Sequence, residues 1–146
     1  IIRTEILNLL EETFTTHHGI YTNKGTSFME TLAGIDAVQA SQAIPHQNET
    51  IAGHVFHTLF YMDVMMDYLT GKYTGTIDWD ESWKTRQVDP GQWEALKDRL
   101  SARYAAIRDY ASRVDDWAQP DRVGGLVAII THCAFHLGAL RIMKDF

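Results

Sequence analysis

Two histidines, His132 and His136, lie four residues apart in the last apolar stretch of the chain. Residues at this spacing sit one turn apart on the same face of a helix, so both imidazoles can reach a single metal ion. A second apolar, helix-patterned segment far upstream holds His54 and His57. A third imidazole from that segment would complete a set that leaves one position of a tetrahedral ion open, as catalytic zinc sites do. The residues therefore predict a metal site and leave its substrate unnamed.

The residues between the paired histidines restrict the chemistry. Cys133 stands where zinc proteases of the HExxH type carry their glutamate base, so a protease mechanism of that type is not supported. On a helical wheel Cys133 lies about 100° from His132, in the middle of the apolar face. We interpret this cysteine as a small buried hydrophobe and not as a fourth ligand. His54 and His57 share one flank of their own segment, and periodicity does not decide between them.

The elements that must position these side chains are helices. Thr50 is a predicted N-cap, Asp89 is another that is followed by proline at the first helical position, and Gly71 is a predicted terminator. No strand-like alternation of useful length occurs, which predicts an all-α four-helix bundle with its metal ligands on facing helices. Apolar residues at helical spacing predict four long helices, at about Arg3–Thr16, Glu49–Thr70, Asp89–Trp117 and Asp121–Lys144.

Two long connectors separate these helices. The first, about His17 to Gln47, is expected to hold short helices at Ser27–Ala33 and Asp36–Ala43. The second, Gly71–Val88, is rich in Gly, Thr, Trp and Asp, and long loops inside a compact domain are often functional. The tryptophans in and near it either wall a pocket over the metal or close one end of the bundle: Trp79, Trp83 and Trp93.

Length, charge and cysteine content narrow the class of protein. The 146 residues suit one domain, 1–146, with one core. The net charge of −6 and the lack of a Lys/Arg cluster exclude nucleic acid as an expected partner. The single cysteine cannot form an internal disulfide, which favours the reducing cytoplasm. No membrane span is expected, because the best candidate stretch, residues 51–69, carries two histidines and two aspartates.

An interaction surface is predicted on the second long helix. Phe56 and Phe60 lie opposite its core stripe, beside Asp63 and Asp67. Exposed aromatic side chains one turn apart are typical of a surface that packs against another. We therefore predict a subunit interface on this face.

Three segments, in the order in which they occur along the chain, resemble segments of the DinB-like, or YfiT-like, metalloenzyme family. Thr50–Tyr61 looks like the family's second long helix, with His57 at the ligand position. His132–Gly138 looks like its last helix, where paired histidines precede an apolar residue and a glycine. Ser27–Ala40 is similar to its short-helix segment. Together the three segments extend the resemblance over nearly the whole chain.

The resemblance implies a fold, a metal site and a range of reactions. It implies an up-down-down-up bundle with a long connector between the first two long helices, and a homodimer. It implies a divalent ion, most often nickel or zinc, held by His57, His132 and His136 with water in the remaining positions. His54 is an extra histidine that either supports a ligand or merely packs.

Characterised members of the DinB-like family include thiol-dependent transferases and a thiol-dependent isomerase. The expected function is therefore metal-dependent activation of water or of a low-molecular-weight thiol, in an S-transferase-like or hydrolase-like enzyme. Two other functions remain open from the residues. One is a non-catalytic, stress-related metal-binding protein, and the other is a metal-free helical interaction module.

Overall fold

The protein is all-helical, as the sequence predicts. The structure, a computed structural model, describes residues 1–146 and contains no strand. Along the chain the elements are α1 (Ile2–Phe14), α2 (Phe28–Ala33), α3 (Ala37–Ala40), α4 (Ile51–Leu69), a 3₁₀ helix (Trp79–Trp83), α5 (Pro90–Arg113) and α6 (Arg122–Met143).

The ends of the long helices are determined by local hydrogen bonds. Thr50 Oγ1 accepts the Gly53 N–H at 3.0 Å and caps α4. Asp89 and Gln92 form a reciprocal capping box at the start of α5, with proline at its first position. After α4 the backbone enters the left-handed region at Gly71, with φ of 75°, which glycine adopts without strain. All three of these predicted helix ends are confirmed.

Two predicted boundaries are wrong, and one element was missed. Helix α3 has four residues instead of eight, and the Ser41 hydroxyl just after it bonds both the carbonyl and the N–H of Val88. Helix α5 ends at Arg113, before the predicted Trp117, because Val114 is extended. The 3₁₀ helix in the second connector carries no apolar periodicity long enough to predict it. The short α3 thus ends at a contact between two segments distant in sequence.

The core draws on all six α-helices. It is one cluster of 27 buried hydrophobic residues, in which α4 packs against α5 and α6 while α1 packs against the same two helices. Cys133 is fully buried in this cluster, which confirms that it is a core residue. Trp93 is also a core residue, with its indole N–H donating to the Ile35 carbonyl at 2.7 Å.

The predicted interface on α4 is less exposed than its sequence indicated. Phe56 and Phe60 are half-buried and not exposed. The nearby Asp63 carboxylate pairs with the Arg103 guanidinium at 2.6 Å. Three of the four residues on this face are therefore partly covered by the chain itself, whereas Asp67 is exposed.

One helix departs from the expectation that no segment is apolar enough to span a membrane. By length and composition alone, α6 is apolar enough to cross a membrane. This is weak evidence, because 44% of its apolar window is buried inside the protein and the core helix of a soluble protein passes the same test.

Candidate metal centre

The three predicted ligands converge in the structure. His57 comes from α4, His132 and His136 come from α6, and their ligand nitrogens lie within 4.8 Å of one another. The Nε2 atoms of His57 and His132 are 3.3 Å apart. Two nitrogens bound at 2.0–2.1 Å to a tetrahedral ion would be about 3.3–3.4 Å apart. One edge of the cluster therefore already has the dimension of a metal site, and the third nitrogen, from His136, lies within 4.8 Å of the other two.

The antiparallel packing of α4 on α6 produces this convergence. Towards the carboxyl end of α4 and the amino end of α6, the successive contacts are His54 with His136, Tyr61 with His132, and Leu69 with Gly125. At the last contact the helices approach so closely that a Cβ on Gly125 would lie 2.7 Å from the Leu69 side chain. The flanks that carry histidines therefore face each other, as the wheel analysis predicts.

Ser82 determines which nitrogen of His57 carries the proton. The buried Ser82 hydroxyl donates to the Trp79 carbonyl at 2.6 Å. A hydroxyl has only one hydrogen, so its oxygen must accept from His57 Nδ1, at 2.8 Å. Nδ1 is therefore protonated and the Nε2 lone pair points at the cluster. A hydrogen bond of this kind orients metal-binding histidines in many proteins.

His54, the extra histidine, is the hydrogen-bond partner of His136. Their Nδ1 atoms are 2.9 Å apart in a buried setting, so one ring must donate to the other. If the His136 Nδ1–H donates, its Nε2 is left free to bind an ion and His54 accepts. The structure thus separates the two histidines of α4: His57 belongs to the ligand cluster, and His54 lies behind it.

On the side of its ring away from His57, His132 is held by packing. Its Nδ1 is buried without a partner, and its ring stacks on Tyr61 with centroids 3.7 Å apart and planes 15° apart. The Trp83 ring stacks on His57 with ring centroids 4.0 Å apart. Two of the three imidazoles are therefore each covered by an aromatic ring.

Burial keeps the imidazoles neutral. Desolvation, with smaller contributions from neighbouring imidazoles, lowers the pKa of His132 to about 4 and that of His136 to about 3. Desolvation also lowers the pKa of His54 and that of His57. A metal binds the neutral form of histidine, so at pH 7 all three candidate ligands are in the form that an ion requires.

Sequence reasoning missed Ser82 and did not resolve the tryptophans. Nothing in the spacing of Ser82 relates it to His57, and the only available signal was the length of the connector that holds it. Of the three tryptophans, Trp83 contacts the histidines, Trp79 packs near Tyr61 at 6.1 Å, and Trp93 lies in the core. Of the three, Trp83 alone therefore packs directly on the histidine rings.

No family model, curated protein or solved structure matches this chain.

Proposed function

We propose that this protein is a divalent-metal-dependent enzyme in which His57, His132 and His136 hold the ion. The observation that carries the proposal is the convergence of three neutral imidazoles with one pair of nitrogens 3.3 Å apart. The hydrogen bond from His57 to Ser82, which aims a lone pair into the cluster, supports the same conclusion. An all-nitrogen ligand set suits nickel or zinc better than magnesium or calcium, which prefer oxygen.

The reaction class follows from the positive charge of the bound ion and from the coordination position that three ligands leave open. A divalent ion held by three neutral imidazoles supplies an uncompensated positive charge, which lowers the pKa of a coordinated water toward about 7 or acidifies a coordinated thiol. The chain's own residues orient the ligands and exclude water. Ser82 and His54 each hydrogen-bond to one of the three imidazole rings, while Tyr61 and Trp83 each stack on one of them. We infer activation of water or of a low-molecular-weight thiol, in a hydrolase-like or S-transferase-like reaction.

We also propose a specific topology for the helices. The long connector between α1 and α4, the antiparallel contact of α4 with α6 and the order of the histidines support an up-down-down-up four-helix bundle of the DinB-like family. The single cysteine, which cannot form an internal disulfide, is the basis for proposing a cytoplasmic protein.

A homodimer is proposed through α6 and not through the face of α4 predicted first. Phe135 is 73% exposed and Ile142 66% exposed, and no charged residue occurs from Val123 to Leu140. A stripe with alternating spacings of four and three, typical of paired helices, lies on this outer face: Gly124, Ala128, Thr131, Phe135, Gly138 and Ile142. Light scattering on Phe135→Glu tests the dimer: the variant should be a monomer, and an unchanged dimeric mass would contradict this interface.

The first test of the enzyme is elemental analysis of purified protein. The wild-type chain should retain about one nickel or zinc ion, whereas a His132→Ala/His136→Ala variant should retain none. His17→Ala/His46→Ala is the matched control, because it removes two histidines of the first connector and should leave the metal content unchanged. Wild-type protein that remains metal-free after incubation with either ion would contradict the proposal.

The second test is turnover by the metal-loaded protein. It should act on activated esters, or transfer a low-molecular-weight thiol to an electrophile, and the double variant should not. Inactivity across both panels of substrates, with the metal bound, would contradict the enzymatic half of the proposal.

A non-catalytic metal-binding protein is the second candidate, and one observation favours it. His57 and His136 are only 9% and 4% exposed, and the Trp83 ring lies over the first of them. A closed site of this kind is typical of a structural metal. This candidate requires that chelation of the metal unfold the protein, whereas an enzyme with an open ligand position should stay folded without its ion.

A further inference from the structure

A second concave feature lies on the same flank of α4 as His57, towards the carboxyl end of the helix. It is a cavity of about 500 Å³, within the range of small-molecule sites. One wall comes from α4 and the other from the connector that follows it, and no charged side chain lines it. The lining residues are Val64, Met65, Tyr68, Tyr73, Gly75, Thr76, Ile77 and Trp79.

The aromatic residues of this cavity are unusually exposed. Tyr68, Tyr73 and Trp79 are 47%, 45% and 44% exposed, and the two tyrosine rings pack edge to face with centroids 6.2 Å apart. Large apolar side chains gathered around one depression lower their free energy when a ligand covers them. The aliphatic side chains of Val64, Met65 and Ile77 would contact the same ligand.

The cavity adjoins the histidine cluster through two residues. The Trp79 ring lies 6.1 Å from that of Tyr61, and Tyr61 stacks on His132. The Trp79 carbonyl also accepts the Ser82 hydrogen bond that orients His57. Since Val64 follows His57 by seven residues, about 10 Å along the helix, a ligand reaching from Val64 to Tyr61 would end about one turn from the histidines.

We propose that this cavity binds an uncharged apolar or aromatic organic compound, the organic substrate of the reaction at the histidine centre. Its role as substrate rests on the proposed function, whereas the binding itself does not. The absence of a charged group among the lining residues favours an uncharged ligand, because desolvating an unpaired charge is costly. Asp78, Asp80 and Glu81, which follow in the same connector, further disfavour an anion.

The test is a fluorescence titration of the full chain with N-phenyl-1-naphthylamine, a neutral apolar probe, with and without metal. Saturable binding of one probe per chain is expected in both states. Val64→Asp should weaken binding by at least about tenfold, because it places a charge on the cavity wall. Tyr73→Ser, in the exposed connector and without effect on the core, should weaken binding about threefold or more and decides the matter if Val64→Asp does not fold.

Val38→Asp is the matched control, since it places the same charge on a valine that is 69% exposed on α3, outside the cavity, and should bind the probe like the wild type. Loss of binding in this variant together with full binding in Tyr73→Ser would overturn the inference, as would the absence of any saturable binding. If the protein never binds metal but Tyr73→Ser still weakens the probe, the binding site stands and the proposed function fails. If the metal-loaded protein turns over a substrate that the probe does not displace, the inference alone fails.

Discussion

Replacing Ser82 with alanine removes the only hydrogen-bond acceptor of His57 Nδ1, a contact of 2.8 Å in a buried setting. An ion on Nε2 requires the proton to stay on Nδ1, so the metal-bound state of Ser82→Ala would contain a buried N–H without a partner. The metal-free state avoids this, because the ring can move its proton to Nε2, which lies 3.3 Å from His132 Nε2. The penalty therefore falls on the bound state.

The size of the effect follows from that asymmetry. A buried donor left without an acceptor costs about 1–3 kcal/mol. Since about 1.4 kcal/mol corresponds to a tenfold change in an equilibrium constant, the affinity for the metal should fall about 5- to 150-fold. Loss of a hydrogen bond behind a metal ligand has effects of this order in other proteins.

The assay is competition for zinc between the protein and a chromogenic chelator, with the histidine tautomers read from ¹⁵N chemical shifts of the metal-free protein. The wild type should show His57 protonated on Nδ1, and Ser82→Ala should show a shift towards the Nε2 form. Ser112→Ala is the control, because the Ser112 hydroxyl also donates to the carbonyl three residues before it, at 2.7 Å, on an exposed face of α5. A folded Ser82→Ala that binds zinc as tightly as Ser112→Ala would refute the reasoning.

Three further predictions concern stability. The unfolded chain protonates its histidines below about pH 6.5, whereas the pKa of His132 is lowered to about 4 and that of His136 to about 3 in the fold. The neutral histidines therefore contribute their full stabilisation above about pH 6.5, and this contribution is lost as the pH falls. Denaturant titrations should show that the free energy of unfolding decreases by about 2 kcal/mol between pH 7 and pH 5, a value halved to allow for partial solvent exposure. Cys133→Ser buries a hydroxyl without a hydrogen-bond partner and should destabilise the metal-free protein by about 1–3 kcal/mol, measured by urea titration. The zinc affinity should be unchanged, and a large loss of affinity would contradict the assignment of Cys133 to the core. Asp89→Ala removes the capping box of α5 and should cost about 1 kcal/mol, measured in the same way; an unchanged midpoint would contradict the capping role.

The sequence alone predicted the features that depend on residues within about one helical turn of each other. Thr50 and Asp89 cap their helices through the backbone three residues ahead, and such bonds form in almost any fold. The pairing of His132 with His136 is of the same kind, because a helix places i and i+4 side by side wherever it lies. The core position of Cys133 follows from the same periodicity.

The helix boundaries that the sequence predicted wrongly depend on distant contacts. The short α3 ends where Ser41 bonds Val88, a residue 47 positions away. The 3₁₀ helix lies against α4, and five residues without apolar periodicity carry no local signal of that packing. Local propensity cannot register an interaction whose partner is brought near only by the fold.

Only the tertiary structure decided the composition of the metal centre. His54 and His57 share one flank of α4, and their roles differ because His136 faces the first while His132 and Ser82 face the second. These partners lie 25 to 82 residues away along the chain. Which nitrogen carries a proton, and which ring an aromatic residue covers, therefore depends on the packing of α4, α6 and the connector together, since a helix repeat specifies a face but not what that face meets.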